Sequence, residues 1–218
     1  MHEEPILFGD HDAITGHSLS WFVYLLPAAD CSTFKVGFSC NPLSRIYTFS
    51  HRYFERFDLG QSLLLRLGAC DDAREVEARL KADFANFRAP APSWVPIEAG
   101  GHTEWFSAVQ FRPAEETLRS CIRIEAAQVI ATADYVRGEL HRLARSFESW
   151  AVSQARFAWE ASRSLRSSNM ATDAIRALRD WVDAYRYFDL RLFEDDPSVF
   201  EFVSNTARGL VSGSIGRH

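Results

Sequence analysis

Lysine is nearly missing from this chain: only Lys35 and Lys81 stand among its 24 basic residues, and the formal net charge is −5. That balance argues against a protein that coats nucleic acid non-specifically, because such affinity comes from many cations displacing counterions. The four cysteines, Cys31, Cys40, Cys70 and Cys121, make no Cys-x-x-Cys pair, and the seven histidines do not gather around them at zinc-ligand spacing. They read as buried free thiols. No apolar run approaches the roughly 18 residues a membrane span needs, and Met1-His2-Glu3-Glu4-Pro5 lacks a basic flank leading into an apolar stretch. The expectation is a cytoplasmic chain with no membrane partner. A Gly-rich phosphate loop and a nucleophile–His pair are also absent, which leaves a small-molecule enzyme little support.

What is present suffices for a packed core: 47% of 218 residues are hydrophobic and 13% aromatic, enough for one large domain or two modest ones. Residues 1–18 show no sustained period and read as a loose arm. Residues 21–26 and 34–38 are short aromatic and β-branched runs, parted by Pro27-Ala28-Ala29-Asp30-Cys31-Ser32, and predict an antiparallel pair. Asn41-Pro42 opens a helix carrying Arg45, Ile46 and Phe49, since asparagine caps and proline suits the first helical position. Leu63–Leu67 predicts a third, central strand. Asp71 or Asp72 then caps a helix whose apolar side is Val76, Leu80, Phe84 and Phe87, with Glu77 next to that side. Residues 88–102 hold three prolines and two adjacent glycines and predict a loop, after which Thr103-Glu104-Trp105-Phe106 resumes as strand.

Taken in order, Phe22-Val23-Tyr24-Leu25-Leu26, Phe34-Lys35-Val36-Gly37, Asn41-Pro42-Leu43-Ser44-Arg45, Glu77 and Glu104-Trp105-Phe106 resemble the GIY-YIG nuclease superfamily. The nearer likeness is to its phage-type branch, in which the second motif reads aromatic-Lys-Ile/Val-Gly. The resemblance spans about residues 20–108. It implies an α+β domain built on a small three-stranded antiparallel sheet with flanking helices, and a metal-dependent endonuclease using Mg²⁺ or Mn²⁺. Carried onto this sequence it implies catalytic roles for Tyr24, Lys35, Arg45 and Glu77, with Glu77 the metal ligand and Gly37 and Glu104 in support. Phe22-Val23 replace Gly-Ile of the name motif, Lys35 replaces a tyrosine, and Lys81 replaces the histidine of the family's Glu-x-x-Leu-His step. Glu75, two residues from Glu77 on the same helix, is an alternative ligand; Tyr47 and His51 are minor candidates. The 88–102 loop is long for the family, and reads either as a substrate clamp or as plain surface.

The second half differs in kind. From Ile122 to Ala161, eleven of the twelve positions at alternating spacings of four and three are apolar, predicting one long helix with a coiled-coil seam. A second stripe, Ile175, Leu178, Val182, Tyr185, Phe188 and Leu192, follows the break at Ser167-Ser168-Asn169, and a short helix follows Pro197. The expected organisation is an arm (1–18), a nuclease-like domain (19–111), an all-α coiled-coil or helical-hairpin region serving oligomerisation or targeting (112–212), and a tail (213–218). Residues 1–110 carry the whole net charge of −5, and residues 119–179 hold ten arginines against six acids. Arg137, Arg142, Arg145, Arg156, Arg163 and Arg166 read either as a phosphate-binding stripe or as the wet face of the helix. The partners expected are nucleic acid, with DNA ahead of RNA, and a second copy of the chain through its helices. The competing expectation is a binding or scaffold module that keeps the fold without turnover.

Overall fold

A computed structural model describes residues 20–124, 126–162 and 168–209, so the 1–18 arm and the 213–218 tail lie outside the described residues. The chain divides into two compact units that part between Glu139 and Leu140.

The first unit is built on a five-stranded antiparallel sheet, in place of the three strands expected. Its strands are β1 (Trp21–Pro27), β2 (Thr33–Ser39), β3 (Leu63–Leu67), β4 (Trp105–Ser107) and β5 (Gln128–Ala131), in spatial order β4-β2-β1-β3-β5. The centre is therefore β1, not β3, because β4 pairs with β2 and β5 pairs with β3. Alternation along the strands sorts side chains onto two faces. Val23, Leu25, Phe34, Val36, Leu63, Leu65 and Leu67 point to one face, where they meet α3 (Cys70–Asp83) through Val76 and Leu80 and α4 (Phe111–Ser120) through Ala114 and Leu118. Each of these fully buried side chains contributes about 1.5–3 kcal/mol relative to exposure. The opposite face carries Tyr24, Lys35, Gly37 and Trp105, and is covered by α1 (Pro42–Phe49), α2 (Tyr53–Arg56) and the loop that holds Trp94.

Two local expectations change. Helix α3 begins at Cys70 without a side-chain cap, and Asp71 and Asp72 lie in its first turn, where their charge favours the helix dipole. The long helix starts ten residues later than the heptad implies. Ile122 lies in a short 3-10 turn, Ala126 adopts a positive φ of 61°, and Val129 pairs with Leu65 in β5, so α5 runs Thr132–Ser162. β-Branched Val129 and Ile130 suit a pleated edge better than a helix surface, and the open edge of β3 takes them.

The second unit, from Leu140, contains the rest of α5, α6 (Ser168–Tyr187) and α7 (Pro197–Ala207). Phe147 of α5 stacks on Tyr185 of α6 at 4.7 Å, and the Tyr185 hydroxyl donates to the Leu140 carbonyl at 2.8 Å. Burial pushes the Tyr185 phenol upward. The buried stripe of α5 follows the expected seam through Leu140, Leu143 and Phe147, then passes to Ala151, Ala155 and Ala158, leaving Trp150, Gln154 and Phe157 half-buried. A helix of 3.6 residues per turn drifts about 20° per heptad from a 3.5-residue repeat, which moves the seam sideways. In α6 and the turn after it, Leu178, Val182, Tyr185, Phe188 and Leu192 are buried as the spacing predicts. Asp196 caps α7 by accepting from Ser198 N and Val199 N. Among the described residues, no helix is long and apolar enough to cross a membrane.

Candidate functional site

Strand pairing sets Tyr24 directly opposite Gly37. A methyl group on Gly37 would lie 2.2 Å from the Tyr24 hydroxyl oxygen and 2.4 Å from Cζ, so the tyrosine ring rests on bare backbone. Glycine is needed there for close approach. Tyr24 is 2% exposed, and burial pushes its phenol up to about 12 against the opposing charge and hydrogen bonding of Arg45.

Arg45 projects from the first turn of α1, which Asn41 holds by accepting from Ser44 N at 3.0 Å while Pro42 occupies the first helical position. The guanidinium lies 4.5 Å above the Phe49 ring, one turn on, and its Nη1 donates to the Ala99 carbonyl at 2.7 Å and to Thr48 Oγ1 at 3.3 Å. Lys35 is 1% exposed, and its Nζ donates to the Val36 carbonyl at 2.8 Å and to Glu104 Oε2 at 3.0 Å. Burial pulls the ammonium down to about 8; the Glu104 carboxylate resists that pull. Burial acts on Glu104 as well and would raise it, but the Lys35 charge and hydrogen bond prevail and hold the carboxyl below its ordinary range.

Glu77 sits on α3 beside Val76 and forms an ion pair with Lys81 at 2.8 Å, one turn away. Its charge acts on both Tyr24 and Lys35, and Lys81 acts in turn on Glu104. Two strands, two helices and the start of β4 thus bring Tyr24, Lys35, Arg45, Glu77 and Glu104 into one electrostatic cluster. Glu75 is exposed and lines a different cavity with Ser120 and Arg123, on the α4 side of α3. Tyr47 stacks on His51 at 4.4 Å.

The 88–102 loop is part of this cluster. Gly100 and Gly101 adopt φ of 65° and 69°, and a methyl on Gly101 would meet Glu104 Oε2 at 3.0 Å, Arg45 Nη2 at 3.1 Å and Lys35 Nζ at 3.2 Å. Upstream, Trp94 packs edge-on against Trp105 at 5.8 Å and Phe57 at 5.3 Å, anchoring the loop to the sheet face. Sequence reasoning missed Ala99 and Gly101, because a carbonyl oxygen and a bare α-carbon leave no side-chain signature; the adjacent glycines alone pointed to an unusual backbone.

Residues 21–125 match the family model of the T5orf172 domain, a span that takes in every member of the cluster. No curated protein and no solved structure matches the chain. The similarity to the T5orf172 model is confined to residues 21–125, and the GIY-YIG resemblance rests on the residues themselves.

Proposed function

We propose that the domain at residues 21–125 is a nuclease that hydrolyses phosphodiester bonds of nucleic acid, DNA in preference to RNA, with Mg²⁺ or Mn²⁺. One observation carries the reading: Tyr24, Lys35, Arg45 and Glu77, spread over four elements, lie close enough that Arg45 and Glu77 act electrostatically on both Tyr24 and Lys35. Phosphodiester hydrolysis needs a water delivered in line, a cation on the phosphoryl oxygens and relief of charge on the departing oxygen.

Arg45 takes the phosphate. Its fork matches two phosphate oxygens, and exchanging the neutral Ala99 carbonyl for an anionic oxygen strengthens the bond it makes. Tyr24, pushed up to about 12, remains a phenol near neutrality and orients the water without deprotonating it. Lys35, pulled down to about 8, is the group able to exchange a proton in the working range.

Among the described residues no group of three or more His, Cys, Asp or Glu is arranged to hold an ion. Magnesium nonetheless keeps most of its waters and binds through one or two carboxylates, and Glu77 offers a hard carboxylate already neutralised by a cation, Lys81, that a divalent ion would replace. Bound there, the ion supplies Lewis-acid stabilisation of the leaving oxygen.

The second reading, a binding module without turnover, is favoured by the 2% and 1% exposure of Tyr24 and Lys35, the lysine lying beneath Gly101. Cleavage of single- and double-stranded DNA and RNA with Mg²⁺ or Mn²⁺ separates the two. The nuclease reading expects cutting by the native chain and a loss of about 10²–10³ in rate for Arg45→Ala, with a comparable or larger loss for Glu77→Ala, at matched circular dichroism. An intact native chain that cuts none of the four polymers belongs to the second reading.

A further inference from the structure

Beside the Arg45 cluster, at the corner where α1 turns into α2, lies a cavity of about 250 Å³. Its walls include Thr48, His51, Arg52, Arg56 and Trp94, with no carboxylate among the lining residues. This is an unusual composition for a half of the chain that carries all of the net negative charge. Thr48 joins the cavity to the cluster, since its hydroxyl accepts from Arg45 Nη1 at 3.3 Å. Arg52 is engaged by Glu55 at 2.8 Å through Nε and lies over the Phe54 ring, so it serves the wall. Arg56 is exposed and lies over the Trp94 indole at 5.9 Å, a loose cation–π contact. Trp94 is half-buried, held edge-on by Phe57 and Trp105, and its remaining surface opens into the cavity.

A half-buried indole, an exposed guanidinium and an imidazole around a cavity with no carboxylate in its lining are the components of a single-strand subsite: an aromatic platform for a base, a cation and a ring nitrogen for the neighbouring phosphate. We propose that this cavity seats the nucleotide adjoining the scissile phosphate. The base stacks on Trp94 in place of Arg56, and Arg56 with His51 takes the adjacent phosphate. This rests on the nuclease reading and deepens it, because a base free to enter the cavity is an unpaired one. The substrate class is therefore single-stranded DNA, or duplex DNA with a frayed or displaced strand at the cut.

The test measures binding of a short labelled single-stranded oligodeoxynucleotide and its duplex over a range of salt, by fluorescence anisotropy, in a Glu77→Ala background that prevents cutting. The subsite expects tighter binding of the single strand. Arg56→Ala should weaken that binding and lower the slope of log affinity against log salt by about 0.7 for a single strand. Trp94→Leu should weaken it about tenfold with the slope unchanged, and Trp94→Phe should retain most of the affinity. Because Trp94 also packs on Phe57 and Trp105, Arg56→Ala supplies the readout that does not depend on the fold of the aromatic cluster. If Arg56→Ala and the folded Trp94 variants bind like the parent while the native chain still cuts, the subsite is wrong and the nuclease reading stands. If the native chain neither binds nor cuts nucleic acid, both fall.

Discussion

At the scale of single residues, the buried Lys35–Glu104 pair is where electrostatics and stability meet. Lys35 has 1% of its side chain exposed and Glu104 22%, so the lysine depends on this carboxylate for its counter-charge. Removing one partner of a buried pair leaves an uncompensated charge, at a cost of several kcal/mol. Because Glu104 is partly solvated, about 3 kcal/mol is expected for Glu104→Gln, read from urea unfolding at pH 7. The pH dependence has a definite sign. The folded-state value of Lys35 is depressed, to about 8, so the folded chain holds fewer protons than the unfolded chain from about 8 up to the roughly 10.4 of a solvated lysine, and stability rises with pH across that window. Without Glu104 the folded value falls further and the window opens at lower pH. The deficit of the variant should therefore shrink as the pH rises toward 8 and stay constant above it. A deficit that does not change between pH 6 and 8 would mean that Lys35 does not need Glu104 to stay charged.

At the scale of elements, α1 links local propensity to the site. Asn41→Ala removes the side-chain acceptor of Ser44 N and should cost about 1 kcal/mol in urea unfolding, with Asn41→Ser largely restoring it. Equal stability of all three chains would show that Pro42 alone fixes the helix start. This helix, β1, β2 and β3 were legible in the sequence because each has a strong local signal: aromatic and β-branched runs parted by the Pro27–Ser32 segment for β1 and β2, a short leucine run for β3, and an Asn-Pro start for the helix; Gly37, which reads as a strand end, lies inside β2. Helix α4 escapes the sequence reading, although Phe111, Ala114, Leu118 and Cys121 have helical spacing, because a domain boundary near residue 111 falls at its start. Strand β5 was hidden for a different reason. Ile122, Ala126 and Val129 continue the spacing of α5 backward without interruption, and periodicity does not register that the backbone turns at Ala126. What forms β5 is the open edge of β3, a tertiary cause with no local trace. The site divides in the same way: Tyr24, Lys35, Arg45, Glu77 and Glu104 were readable as an ordered series, whereas the roles of Ala99 and Gly101 come from where a loop lies in three dimensions.

At the scale of the whole molecule, the proposed nuclease reading asks which unit would hold nucleic acid, and net charge points away from the proposed site. Residues 1–110 are net −5 and residues 111–218 are neutral, so composition alone favours the arginines of the helical half. Their surroundings argue otherwise. Arg145 lines a cavity with Glu148, Asp189, Glu194, Asp195 and Asp196, where the potential of several acids offsets its own. Arg142 and Arg156 lie on the exposed face of α5, while Arg163 and Arg166 fall outside the described residues. Counterion release follows the phosphates actually neutralised, so on the subsite proposed above Arg56, in a cavity with no carboxylate in its lining, counts for more than Arg145 among its acids. Replacing Arg142, Arg145 and Arg156 together by Gln in the full chain should leave the salt slope of oligonucleotide binding within about half a unit of the parent. A slope lowered by about two would instead place phosphate contacts on the helical unit, and nucleic-acid binding would then span both halves of the chain.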